Sequence, residues 1–291
     1  MKLVGTFVGG LVAAVLLSST ASADPSLWHI QDEDSDIYIF GTVHILRPDI
    51  EWQTEELMSA FNSADTVYFE APVNDPSQAA AMQQVVLANA LLPQGTTLSS
   101  LVNDATWQAI EEFAPQIGAS AAQLEPLRPW IATIQLGVGF IVASGYDPSS
   151  GVEATLWPLA NEAGKTLDYF ETVEEQIGFF VNLPQDVEVR LLEETMAEFD
   201  AAPDQLDMLV NSWASGDQAA IDLVMNGQMR ADAPEVHDII IVQRNERWAE
   251  EIAGMLEGSG TVFIAVGSGH LPGELGVISL LRARDIEVDG P

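Results

Sequence analysis

Gly-X-X-His occurs twice in this chain. Gly41-Thr42-Val43-His44 follows the apolar run Ile37 to Phe40, and Gly267-Ser268-Gly269-His270 follows Val262 to Val266. Each His therefore lies just past the end of an expected strand, on a turn that Gly opens. Only four His are present, so two in matched contexts form a pattern. Neutral imidazole ligates metals and serves as a general base. The carboxyl ends of strands are where an open α/β sheet places its chemistry.

Two carboxylates sit in the same kind of position. The run Thr66 to Phe69 ends at Glu70, and the run Thr166 to Phe170 ends at Glu171. In a parallel sheet these ends share one edge, so His44, Glu70, Glu171 and His270 converge on one crevice. Buried carboxylates must be paired, hydrogen-bonded or metal-bound. A divalent metal accounts for the set economically, and His with carboxylate suits Zn, Mn, Fe or Co alike. One strand-end Glu alone would serve as a helix cap or surface group, and one Gly-X-X-His as a turn. The coincidence of all four at strand ends favours a site.

Other residues join this set. Arg244 and Arg247 share a helix face beside Trp248, in a chain with only 10 Lys plus Arg. Arg244 could pair with the crevice carboxylates or clamp a substrate carboxylate; an exposed ion pair is the plain alternative. Glu153, after Gly151-Val152, falls in the first turn of an expected helix, where the helix dipole alone explains an acid. Ser268 lies between two Gly, but a nucleophile elbow needs Gly at 266 and 270, where Val266 and His270 stand. His29 reads as structural within an apolar strand, and His237 as a surface or packing residue in a helix.

The elements that must position these residues follow from punctuation and period. Five β-rich runs appear: 37–40, 66–69, 166–170, 261–266 and 286–288. Trp28-His29-Ile30 before the Asp32 to Asp36 turn adds a hairpin to the first. Helices are expected from Pro48-Asp49 through Leu57 and Phe61, from Asp75-Pro76-Ser77, and after Asn103-Asp104. Strands alternating with helices predict an α/β fold, a mainly parallel central sheet flanked by helices. Helical patterns dominate about 104–149 and 173–255, read as a helical insertion or cap over the sheet. Residues 24–291 are read as one domain, since no linker interrupts them.

Composition sets further bounds. There is no Cys, which excludes thiolate metal sites and Cys nucleophiles. Asp plus Glu number 44 and the net charge is -34. This field argues against nucleic acid and anionic membranes as partners, and reads as a habitat or solubility signal. Lys2, the apolar stretch Leu3 to Leu17 and Ala21-Ser22-Ala23 form a signal peptide over 1–23. That stretch is shorter than the ~20 residues a span needs. An exported protein, periplasmic or extracellular, with no stable membrane span after cleavage following Ala23, is expected, and a retained anchor is the other reading of this segment. Nothing in the sequence sets an oligomeric state.

At these residues the chain resembles the TraB/PrgY/GumN family, related to the Tiki metalloproteases. Gly41 to His44, Glu70 and Gly267 to His270 carry the resemblance, with Leu271-Pro272-Gly273 and Leu280-Leu281 beside the second motif. Gly151-Val152-Glu153, Phe170-Glu171-Thr172 with Gln176, and Arg244-Asn245 with Trp248 extend it over nearly the whole chain after the signal. The resemblance implies a mixed α/β fold with a helical insertion and divalent-metal-dependent hydrolysis, with Mn or Co by analogy. A peptide or protein is the expected substrate. His44, Glu70 and His270 would be metal ligands, or ligands plus base, with Glu153 as a further metal-ligand candidate. Glu171 or Glu153 would act as base or ligand support, and Arg244 and Asn245 would orient carboxylates or substrate. Two further readings stand beside this one. One is a non-catalytic protein that binds metal, haem or peptide in the same crevice. The other is a structural or regulatory partner with a vestigial site.

Overall fold

The computed structural model describes residues 23–199 and 202–291. The expected signal segment lies outside the described residues except for Ala23. Five strands form one sheet: β1 (Leu27–Gln31), β2 (Ser35–Thr42), β3 (Thr66–Phe69), β4 (Thr166–Tyr169) and β5 (Gly260–Gly267). Their order is β1-β2-β5-β3-β4. β1 pairs antiparallel with β2 as the expected hairpin, and the other pairings are parallel.

Alternation explains the two faces, because successive side chains in a strand point to opposite sides. Phe40, Val67, Phe69, Phe263 and Ala265 pack with Leu57 and Phe61 of the helix Glu55–Ser63. On the other face, Ile37, Ile39, Ile264 and Val266 meet Trp248 and Ile252 of the helix Gln243–Met255. Leu281 of the helix Val277–Arg282 completes that layer. Both faces of the parallel region are therefore covered, as crossover helices require. The helices of the middle of the chain build a further core of their own around Leu98, Ile110, Leu124, Leu136 and Leu192.

Two expected elements differ. The helix expected from Pro48 begins at Glu55, because Thr54 supplies the cap: its Oγ1 accepts from Leu57 N at 3.2 Å. Ser, Thr, Asp and Asn are the preferred caps, and Pro48-Asp49 sits in the loop before it. The apolar run 286–288 is not a strand; the chain there makes only an isolated bridge, Asp289 to His29. Its partner edge is the short β1, and β-rich composition alone does not supply a ladder. Among the described residues no helix is long and apolar enough to cross a membrane.

Candidate functional site

Register brings the strand ends together. Thr42 lies opposite Gly267 across β2 and β5, and Phe69 lies opposite Ala265 across β3 and β5. Beyond β4, Glu171 N donates to Glu70 O at 2.9 Å. Thr42, Gly267, Glu70 and Glu171 thus form a row at one sheet edge.

Gly267 marks the centre of the row. A Cβ there would fall 2.8 Å from Glu70 Oε1, 3.6 Å from His270 Cδ2 and 3.8 Å from His44 Nε2. The side chains His44, Glu70 and His270, far apart in sequence, therefore approach one point. Glycine lets the backbone come this close. Gly267 N donates to Glu70 Oε1 at 2.6 Å.

His44 is placed by a second close approach. Val152 N donates to Val43 O at 3.1 Å, and Asp147 N to Leu46 O at 2.8 Å. A Cβ on Gly151 would overlap the His44 carbonyl, so only Gly fits there. Gly151 caps the helix Val152–Glu162, whose first turn aims Glu153 at the loop. His44 Nδ1 pairs with Glu153 Oε1 at 2.8 Å, and Thr42 Oγ1 donates to the same oxygen. Glu153 Oε2 is buried with no hydrogen-bond partner. The Glu153 charge is the main reason the His44 imidazole is raised to about 9. With 65% of the His44 side chain accessible, water screens the pair, so it governs charge state more than stability.

Arg244 organises the other half. It is buried, and all five of its N–H groups are used. Nε and Nη2 form a fork on Glu171 at 2.7 and 2.9 Å, and Nη2 also reaches Glu70 Oε2 at 2.6 Å. Nη1 donates to Ile240 O at 3.0 Å and meets His270 Nε2 at 2.9 Å. Phe179 and Trp248 lie against the guanidinium, 5.1 and 4.7 Å from its carbon to the ring centroids. Gln176 Nε2 donates to Glu70 Oε2 at 3.2 Å. Burial pushes the Glu70 carboxyl up, but Arg244 foremost, with the site His and Gly267 N, outweighs it and holds the group at about 2. Burial likewise pushes Glu171 up, against the pull of the Arg244 fork.

Asn245 decides the state of His270. Asn245 Nδ2 donates to Leu275 O at 2.8 Å, which turns Oδ1 toward His270 Nδ1 at 2.6 Å. The imidazole must then carry its proton on Nδ1, leaving the Nε2 lone pair facing Arg244 and the crevice. Burial first, then the Arg244 and His44 charges, lower His270 to about 3, so its ring is neutral.

His29 and His237 lie outside the crevice, as the sequence suggests, and Ser268 and Glu171 have partners of their own. Ser268 Oγ lies 3.5 Å from Met225 Sδ, and that contact offers no base to activate it. Both Glu171 oxygens face Arg244. His29 pairs with Asp36 at 2.8 Å and stacks on Tyr38, and His237 is buried in the helix Pro234–His237. Thr42 and Phe179 escaped the sequence reading. Thr42 lies inside the first motif, and its spacing carried the signal without its role being drawn. Phe179 had no signal, since its contact with Arg244 spans distant helices.

Fit to a divalent metal rests on the donors. The donors gathered near Gly267 are nitrogen and oxygen, with the unpartnered Glu153 Oε2 and the accessible His44 beside Glu70 and His270. That set suits Mn, Co, Zn or Fe. No three His, Asp or Glu among the described residues form a preassembled shell. Arg244 instead holds Glu70 Oε2 and the His270 lone pair.

A cavity of about 620 Å³ opens over this floor. Its walls are mainly apolar, with Trp130, Trp157, Phe179, Phe180, Ile240 and Met229 among them.

The sequence model of the TraB/PrgY/gumN family matches residues 26–290. An uncharacterised protein of Treponema pallidum (strain Nichols) is 22% identical, over 94% of this chain and 85% of its own. Metalloprotease TIKI2 of Xenopus tropicalis is 25% identical, over 87% of this chain and 57% of its own. Metalloprotease TIKI1 of Danio rerio is 22% identical, over 90% and 62%. The chain thus spans less than two thirds of either metalloprotease. No solved structure matches the chain.

Proposed function

The chain belongs to the TraB/PrgY/gumN family, and from that premise we propose that it is an exported, divalent-metal-dependent hydrolase acting on peptides. The observation that carries this reading is the approach of His44, Glu70 and His270 to one point at Gly267. Two relatives named as metalloproteases support it.

His44, Glu70 and His270 would hold the metal, with Glu153 Oε2 as a further donor. A bound divalent ion supplies polarisation of the scissile carbonyl and a more acidic water. The chain's own groups do the rest. Asn245 fixes the His270 tautomer, so Nε2 carries no proton of its own and its lone pair accepts from Arg244 until a metal would displace that contact. Glu171 anchors Arg244 through the fork, and Arg244 keeps Glu70 ionised in a buried place. Glu153 would hold the proton of His44 on Nδ1, which leaves Nε2, the atom nearest Gly267, as the one that would bind the metal. Buried, preorganised charges of this kind act more strongly than they would in water.

The test is turnover of a peptide library by the chelated protein after Mn, Co, Zn or Fe is restored. Hydrolysis that returns with metal and is lost in His270→Ala supports the reading. Activity indifferent to chelation contradicts it. One observation favours the non-catalytic reading: every N–H of Arg244 is satisfied as the site stands. A protein that binds peptide in the cavity, retains no metal and hydrolyses nothing would be that binding module.

A further inference from the structure

The polar floor and the apolar wall of the crevice come from successive turns of the same helices. Glu153 and Trp157 are four residues apart on the helix Val152–Glu162. Gln176, which bonds Glu70, lies four residues before Phe180 on the helix Val173–Val181. Ile240, whose carbonyl accepts from Arg244, lies four residues before it. Residues at this spacing share a helix face. A group resting on Trp157, Phe180 and Ile240, all of which line the cavity, is therefore one helical turn from the polar side chains.

Size and charge narrow the occupant. About 620 Å³ is within the ~300–1,000 Å³ of ligand cavities. It exceeds a single side chain, so a short stretch of backbone also has room. Met225 and Met229 line the cavity and supply flexible thioethers that mould to irregular apolar shapes. Met225 and Ile240 belong to the π-helical segments Leu223–Gly227 and Asp238–Val242, an irregularity often found at functional sites. The acids lining the cavity are Glu70 and Glu153, engaged with Arg244 and His44. An acidic side chain would lose its hydration there and face a strongly negative protein.

We infer that this cavity is the specificity subsite of the proposed peptide hydrolase: it takes a short uncharged segment whose bulky aromatic or long aliphatic side chain rests on Trp157, Phe180 and Ile240 beside the bond to be cut. This rests on the hydrolase reading above. The subsite holds the side chain by apolar burial, and the segment's backbone lies over His44, Glu70 and His270.

The experiment uses acetyl-Gly-X-Leu-amide with X as Phe, Gly, Asp or Lys, on the full chain with chelator present so that the metal-dependent reaction cannot consume the probe. Quenching of Trp130 and Trp157, which line the cavity, reports binding. The Phe peptide is expected to bind at least about tenfold tighter than the Asp and Lys peptides, as burial of one aromatic side chain predicts. Trp157→Ala and Phe180→Ala, checked for folding by circular dichroism, are expected to remove that preference. Ala154→Phe, which fills the cavity from its lining, provides a second variant and is expected to weaken the Phe peptide while sparing the Gly peptide. Equal affinities, a preference for Lys set by the negative field alone, or a filled cavity that binds as before would overturn the inference. Metal restored without hydrolysis, while the binding order holds, sinks the hydrolase reading and leaves the subsite. Hydrolysis indifferent to X sinks the subsite and leaves the hydrolase.

Discussion

Arg244 Nη1 lies 2.9 Å from His270 Nε2, on the lone pair that a metal at this site would use. The same guanidinium pairs with both Glu70 and Glu171, two buried carboxylates on neighbouring strand ends. Removing one partner of a buried ion pair costs about 3–5 kcal/mol, because the other charge is left uncompensated. Arg244→Gln should therefore lower Tm substantially in chelator. Added divalent metal would restore positive charge beside Glu70 and free competition for His270, so it should raise the variant's Tm by more than it raises wild type. Thermal unfolding with and without MnCl2 or ZnCl2 measures both, and equal metal shifts in the two proteins would count against a shared place for guanidinium and metal.

Gly151 and the His44 carbonyl make a second contact that a side chain would break. Gly151→Ala must move the His44 loop or the helix carrying Glu153, both of which are tied by hydrogen bonds. Overpacking of this kind costs about 1–3 kcal/mol. The nearest atoms to a Cβ on Gly269 belong to the flexible side chain of Met225, at 3.1 Å. Urea unfolding is expected to show the larger loss in Gly151→Ala and a smaller one in Gly269→Ala. The reverse order would show that the first motif is not held by this approach.

The pH dependence follows from His270. Its ring is neutral in the fold, down to about 3, while unfolded His titrates near ~6.5. Between these values the unfolded chain binds the extra proton, so stability rises with pH and is lost as pH falls from about 6.5 toward 3. One proton gives a slope of at most about 1.4 kcal/mol per pH unit. His44 has the opposite sign: raised to about 9, its contribution is present below ~6.5 and fades as pH rises through 9. Comparing Tm against pH for wild type and His270→Asn isolates the first effect. Identical acid limbs would mean that the ring is protonated in the fold.

Charge predicts a salt response. A net charge of -34 repels itself in the compact state. Salt shortens the Debye length from about 10 Å at 0.1 M to about 3 Å at 1 M. Tm should rise as NaCl goes from low to molar concentration. A flat or falling curve would assign the acidity to solubility alone.

Strand-end residues were legible because two local signals coincide there: an apolar run and the Gly or Glu that ends it. His44, Glu70, Glu171 and His270 were found this way, and the parallel register that unites them followed from strands alternating with helices. Asp75 and Asn103 cap the helical segments expected after them, and one helix start was less legible. Pro48-Asp49 resembles a cap, yet Thr54 is the residue whose hydroxyl meets a free N–H. The 286–288 run has strand composition, but a ladder needs a partner edge that composition does not reveal. Arg244 was visible as a scarce cation, and its five-bond role depends on the distances to Glu70, Glu171, His270 and Ile240. The cavity wall was invisible, since nothing in the sequence sets Trp157, Phe180 and Ile240 apart from the other apolar residues of helical segments.

The central claim is that His44, Glu70 and His270 share one divalent metal, and calorimetric titration of the chelated protein with Mn, Co and Zn tests it most directly. The account predicts saturable binding near one equivalent per chain, abolished in His44→Ala and His270→Ala and weakened in Glu70→Gln, with each variant still folded by circular dichroism. No binding by wild type, or binding unchanged in both His variants, would contradict it.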